Sequence, residues 1–276
     1  MPSFDTPEPI NARITSPSGD ITVETAGNVT TTTVTLDGDD QIVADTRVEY
    51  RSGTLRVEAP RSNRWGRNGE LDITVTLPDD SSVQVETASG DVSLHGTFND
   101  VRVNSASGDV SLDDATGTVR IETASGDVEV RHAGGPTTIT TASGDVSLEN
   151  ADGGDDVTVS TASGGADLGR ISGDLRVRAA SGDISVENAE GNVDANAASG
   201  DVSLDRVHRG RVGVQTANGD VSIDVTPGIP VWLDLHSLSG DVSTDQDHDG
   251  GPAEGEDTLE LRVNTVSGDI SVGRAH

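Results

Sequence analysis

Nine aspartates recur at one position of a repeating Ser-Gly-Asp corner: Asp91, Asp109, Asp127, Asp145, Asp183, Asp201, Asp220, Asp241 and Asp269. Stacked on successive turns of a regular structure, they would line one edge about 5 Å apart. Carboxylate oxygens are the donors that hard cations take, so a cation ladder is one chemistry such a row could perform. The other is structural: a carboxylate that bonds the backbone of its turn and otherwise faces solvent. Turn capping is the expected role, because the G-G-x-G-x-D spacing of a calcium-binding β-roll is missing.

A second group of residues suits contact with a partner. In the segment 60–68, Arg61, Arg64 and Arg67 surround Trp65, a basic and aromatic cluster in an otherwise acidic chain. Tryptophan and arginine are the residues most enriched where interfaces concentrate their binding energy. Trp232 lies in the run Pro227-Gly228-Ile229-Pro230-Val231-Trp232-Leu233-Asp234-Leu235, apolar on both faces of a strand, so it either packs internally or meets a partner. The carboxylate-rich insert 245–257 has no ligand spacing and reads as a solvated loop. The six histidines sit in unrelated contexts, and no nucleophile elbow, zinc-protease, P-loop or dinucleotide fingerprint occurs. The expectation is a protein that is not an enzyme, with no catalytic residues, metal or cofactor.

The elements that must position these residues follow from the repeat. The corner glycines Gly90, Gly108, Gly126 and Gly144 are 18 residues apart, and the period continues with small variations through Gly164, Gly182, Gly200, Gly219, Gly240 and Gly268. Such a period is the mark of a solenoid. Within residues 101–118, Val101 and Val103 alternate with Arg102 and Asn104, and Val110 and Leu112 flank Ser111. Period-two alternation makes each stretch a short strand with one apolar face. The glycine supplies a backbone angle closed to other residues, and the alanine before the serine (Ala88, Ala106, Ala124 and their equivalents) is expected to tuck inside the bend. A second, looser corner takes the length variation, and each coil is expected to have three short sides. Residues 1–80 are a less regular β-rich part of the same body, with strands near 34–36, 47–50, 54–57 and 71–77; residues 81–276 are the regular repeats. The last coil in the chain closes with Val263, Val266, Ile270 and Val272. With nothing apolar after it, Val263, Ile270 and Val272 become candidates for an end-to-end contact.

Composition narrows the function. The formal net charge of −30, with 18 basic residues that are all arginine and no lysine, fits a surface solvated for molar salt, where the Debye length falls to ~3 Å. It is the wrong sign for nucleic acid. There is no cysteine, which excludes disulfides and thiolate sites. The first residues, MPSFDTPEPINARIT, carry no basic segment followed by an apolar run, and no stretch approaches the ~18 apolar residues of a membrane helix. The expected location is the cytoplasm, with membrane association only through a partner.

The recurring V-x-V-x-T-A-S-G-D-V-x-L, over about residues 10–275, resembles the DUF4097 "putative adhesin" β-strand repeat family. The repeat predicts a single-stranded parallel β-helix of about ten to twelve coils with essentially no helix, and the resemblance implies that it is right-handed. The 18-residue coil is also similar to the bactofilins, cytoskeletal proteins whose triangular β-helices polymerise end to end, and to their salt-adapted archaeal counterparts, the halofilins. These likenesses imply a self-assembling structural scaffold affecting cell shape, whose partners are further copies of itself and an anchoring protein or anionic membrane surface. The alternative is an adhesin-type surface binding module.

Overall fold

The computed structural model describes residues 2–27, 29–60, 70–245 and 258–275. They belong to two compact units, Met1–Gly135 and Pro136–His276. Each unit is a parallel β-solenoid, and the only helix among the described residues is the six-residue Asp40–Asp45. The described helices include none long and apolar enough to cross a membrane.

The coil 101–118 shows how the sequence is used. Val101, Val103, Val110, Leu112 and Ala115 are buried, while Arg102 points outward. The next coil stacks in register, Val119 on Val101, Ile121 on Val103, Val128 on Val110 and Val130 on Leu112. Identical inward positions therefore superpose into an aliphatic lumen, where close packing needs only branched side chains of matched size. In strand Val110–Ala115 two consecutive residues, Asp113 and Asp114, face outward before Ala115 turns in again. That break in alternation bends the strand and gives the coil its third side.

The alanine of T-A-S-G-D departs from expectation. Ala88, Ala106 and Ala124 are exposed, and the preceding Thr87, Ser105 and Thr123 are the buried residues. In these three coils the hydroxyl also bonds the corner: Thr87 Oγ1 donates to the Ser89 carbonyl (3.2 Å), Ser105 Oγ to Ser107 (3.1 Å) and Thr123 Oγ1 to Ser125 (3.2 Å). The hydroxyl is not what decides burial in every coil: Thr141 and Thr161 are buried at the same position with Oγ1 unpaired, Ala179 occupies it in another coil, and the Ser125, Ser163 and Ser181 carbonyls accept the corner glycine N–H of the adjacent coil.

The glycine of the corner is required twice over. Gly108 has φ +121°, and a Cβ there would sit 2.2 Å from the Gly90 carbonyl oxygen of the adjacent coil. The corner is thus closed to other residues both by local conformation and by the stacking distance.

Coil order in space differs from coil order in the chain, once in each unit. In the first unit, strand Asn11–Ser16 lies between Thr54–Glu58 and Ser81–Thr87, and Ile21–Ala26 lies between Leu71–Pro78 and the start of Val92–Ser107. The coil 54–78 is therefore outside the coil 11–26. Its own edges are covered by antiparallel strands, Arg47–Arg51 on Thr54–Glu58 and Thr31–Gly38 on Leu71–Pro78. Ser3–Asp5 pairs in turn with Thr31–Gly38, and Phe4 packs on Tyr50 with ring centroids 5.5 Å apart. Helix Asp40–Asp45, capped by Asp39, bridges the two covering strands. Covering an edge in this way removes a template for strand pairing.

In the second unit, Leu259–Ser267 pairs with Gly210–Asn218 on one side and Val231–Ser239 on the other, and Ile270–Arg274 pairs with Val221–Val225 and Val242–Thr244. The chain runs out to the coil 231–244 and returns to fill the space behind it. The coil 259–274 is therefore not terminal, and the expectation of a bare final coil at Val263, Ile270 and Val272 is corrected: all three are buried between two coils. Inserted there, the last strands have their hydrogen bonds satisfied on both edges.

Candidate functional site

The aspartate row does what its capping reading requires, but between coils instead of within one. Asp91 N–H donates to Asp20 Oδ1 (3.0 Å), Asp109 N–H to Asp91 Oδ1 (2.9 Å) and Asp127 N–H to Asp109 Oδ1 (2.8 Å). In the second unit Asp220 N–H donates to Asp201, Asp269 N–H to Asp220 and Asp241 N–H to Asp269, each at 2.8 Å. Each carboxylate thus fixes the stacking of the next coil, and the chain of bonds follows the spatial order 220–269–241. Among the described residues no group of three or more acidic or histidine side chains is placed to hold a metal ion. Asp109→Ala is expected to lower stability by ~1 kcal/mol, the net value of a typical hydrogen bond, because solvent at this exposed site offsets the extra strength of a charged acceptor, and Asp109→Asn by less, since the amide oxygen still accepts. Denaturant titration checks both. Calorimetric uptake of calcium by the unmutated protein, lost in Asp109→Asn, would make the row a cation site instead.

The row ends at Asp241, whose coil is the outermost of the second unit. Val231–Ser239 pairs only with Leu259–Ser267 among the described strands and so presents one open edge there, while Val242–Thr244 pairs with Ile270–Arg274. Val231, Leu233 and Leu235, inward residues elsewhere fully covered, are here only half-buried. Val242 is 47% exposed, Leu238 83% and Val266 54%. Leu238 and Val266 occupy the position that holds alanine in the upstream coils, so the corner grows apolar as the open edge is approached. That substitution, S-L-S-G-D and T-V-S-G-D in place of T-A-S-G-D, was the sequence signal for this surface. The 227–244 stretch carries two acidic residues, Asp234 and Asp241, and Asp234 Oδ1 lies 2.9 Å from His236 Nε2.

Trp232 lies on this coil but on its lateral face. The residue is 53% exposed and its ring sits over the Arg262 guanidinium, whose Cζ is 5.7 Å from the centroid. Arg262 Nη2 lies 2.8 Å from Glu260, which also accepts from Arg211 Nε at 3.0 Å. The hydrogen bond from Arg211 first, then the Arg211 and Arg262 charges, hold the Glu260 carboxyl below the usual carboxylate range. The indole is therefore braced across three adjacent coils, a cation–π arrangement that orients a half-open aromatic face. Arg61, Arg64, Trp65 and Arg67, with most of the acidic insert (246–257), lie outside the described residues.

The sequence matches the Toastrack DUF4097 family over residues 11–273, and the chain belongs to that family. Solved structures similar to it include a "putative adhesin" of Bacteroides fragilis, 15% identical, covering 98% of this chain and 95% of that one at a TM-score of 0.38. A "putative adhesin" of Parabacteroides merdae is 11% identical, with 98% and 94% coverage and a TM-score of 0.41. A "putative lipid binding protein" of Parabacteroides distasonis is 13% identical, with 98% and 95% coverage and a TM-score of 0.41. No curated protein matches the chain.

Proposed function

We propose that the protein is a non-enzymatic assembly module that associates with a second copy of itself through the open edge of the coil 231–244. The observation that carries this reading is the outer edge of Val231–Ser239, which has no second partner among the described strands, flanked by exposed Leu238 and Val242. An unpaired edge is a template for another strand. The partner is a second copy because a two-fold contact sets Val231–Ser239 antiparallel to itself, edge to edge and apolar residue to apolar residue. Head-to-tail stacking has no matching acceptor in the coil 54–78, whose edges are taken by Arg47–Arg51 and Thr31–Gly38. A self-complementary contact closes at two.

On this reading the end-to-end contact is a dimer of the kind that a bactofilin-like or halofilin-like scaffold builds on, in the cytoplasm of a salt-adapted cell. Anchoring through a protein or an anionic membrane surface would be a separate event. The adhesin-type alternative uses the protein as a monomer. Two copies with a charge of −30 each repel, and screening shortens that repulsion from ~10 Å at 0.1 M salt to ~3 Å at 1 M. Sedimentation velocity is expected to find monomer at low salt and dimer in molar KCl. Leu238→Glu combined with Val242→Glu should remain monomeric in molar KCl with an unchanged circular dichroism spectrum. Monomer under all conditions would favour the binding-module reading, and filaments under the electron microscope would mean that a head-to-tail contact exists after all.

A further inference from the structure

The first unit carries a feature with no counterpart in the assembly reading. One outward register position is held by Arg56, Arg13, Gln84, Arg102 and Arg120, in that spatial order on adjacent strands. They form one wall of a groove of about 790 Å³ that runs from the Arg47–Arg51 hairpin strand, through Arg51, to Arg120. Thr54, Asn11, Ser82, Asp100 and Thr118 form the other wall. Five arginines meet two carboxylates here, Glu49 and Asp100, in a chain whose net charge is −30. Asp100 is already engaged, accepting Thr118 N–H at 2.9 Å. Arg56 and Arg120 have ion-pair partners in Glu58 and Glu122, but Arg13, Arg51 and Arg102 have none among the described residues.

Like charges directly opposite on neighbouring strands are destabilising, and Arg56–Arg13 and Arg102–Arg120 are such pairs. The second unit shows the arrangement that avoids this. The equivalent positions there are Thr158, Arg176, Asp194, Gly213, Arg262 and Asp234, signs interleaved, with Arg176 Nε 3.4 Å from Asp194 Oδ2. With Arg56 and Arg120 offset by Glu58 and Glu122 within the fold, the charge left in this row is that of Arg13 and Arg102, and it is this pair that an external anion would meet.

We infer that this groove binds a linear carboxylated polysaccharide, a polyuronate. The groove is two side chains wide, which admits a single extended chain and not the flat face of another solenoid. Its row positions repeat at the strand spacing, ~4.8 Å, of the same order as one carboxylate per sugar in an extended uronic-acid chain, with guanidiniums at four of the five and the Gln84 amide at the middle one. Arginine binds carboxylates through two parallel hydrogen bonds, and the hydroxyl and amide groups of the facing wall suit sugar hydroxyls. No aromatic residue lines the groove for bases to stack on, as single-stranded nucleic acid requires.

The test is isothermal titration of the full chain with polygalacturonate oligomers of increasing length at low salt. Affinity is expected to rise with length until the groove is filled and then level off. Arg13→Gln combined with Arg102→Gln should weaken binding at least about tenfold while leaving the melting temperature unchanged or raised, because repulsion is relieved. Arg176→Gln, on the second unit, should change nothing. Should the double variant fail to fold, Arg51→Gln on the edge hairpin reads the same site, with a weaker expected loss of about threefold. Absence of binding, equal binding of a neutral glucan, or equal binding of single-stranded DNA or anionic lipid vesicles would overturn the proposal, as would affinity indifferent to the arginine variants. Dimerisation is read separately by sedimentation, so failure of either idea leaves the other standing.

Discussion

Gly126→Val is expected to abolish the stacking of the first unit at its corner. Gly126 has φ +129°, and a Cβ on it would lie 2.1 Å from the Gly108 carbonyl oxygen, a backbone atom that cannot move without breaking the neighbouring coil. The backbone angle alone costs a β-branched residue about 1–3 kcal/mol. The clash adds to it, so a loss of roughly 3–5 kcal/mol, in the range that marks an exceptional substitution, is the expected result. Thermal melting followed by circular dichroism reads it. Gly53→Ala provides the comparison: its φ is +74°, but nothing lies within 4 Å of the added carbon. It should lose only the part due to conformation. Equal effects at the two positions would show that local conformation alone, without coil stacking, makes the corner glycine necessary.

The second large effect is Ile270→Glu. On the sequence alone this residue is the last inward position, and a charge there would block assembly and spare the fold. Its place between Val221 and Val242, fully buried, reverses the expectation. A carboxylate in an aliphatic lumen has neither water nor a hydrogen-bond donor, and the transfer of even a neutral polar group costs several kcal/mol. The substitution also removes the packing of a buried isoleucine, worth ~2–5 kcal/mol when truncated. The second unit should therefore unfold at its last coils, with loss of amide protection in 231–274 by hydrogen exchange. Val242→Glu, in the same row but half-exposed, should leave protection intact. If Ile270→Glu keeps its protection and merely fails to dimerise, the spatial order of the last two coils is wrong.

Both substitutions act through stacking, and stacking is where the limits of the sequence lie. The all-β solenoid, the inward aliphatic positions from Val101 to Ile223, and the corner glycines are legible because each rests on local rules: alternation of period two, a backbone angle only glycine takes freely, and a spacing that repeats. The strands expected near 34–36 and 47–50 are legible as strands for the same reason. The burial of threonine in place of alanine at the corner was not, since size alone argued for alanine, whereas the strand alternation that turns Thr87, Ser105 and Thr123 inward leaves the next residue outside.

What the sequence by itself determined is therefore the coil; what the tertiary structure decided is which coil lies next to which. Every coil offers the same ladder of donors and acceptors and nearly the same inward side chains, so local chemistry makes neighbours interchangeable. Only the assembled structure places 54–78 outside 11–26 and 231–244 outside 259–274. That order, and not the order of the chain, brings Arg56 beside Arg13 in one row, exposes Val242 and Leu238, and buries Ile270. The surfaces available for function are thus products of long-range pairing, which a repeat of identical local units cannot specify from within a single one.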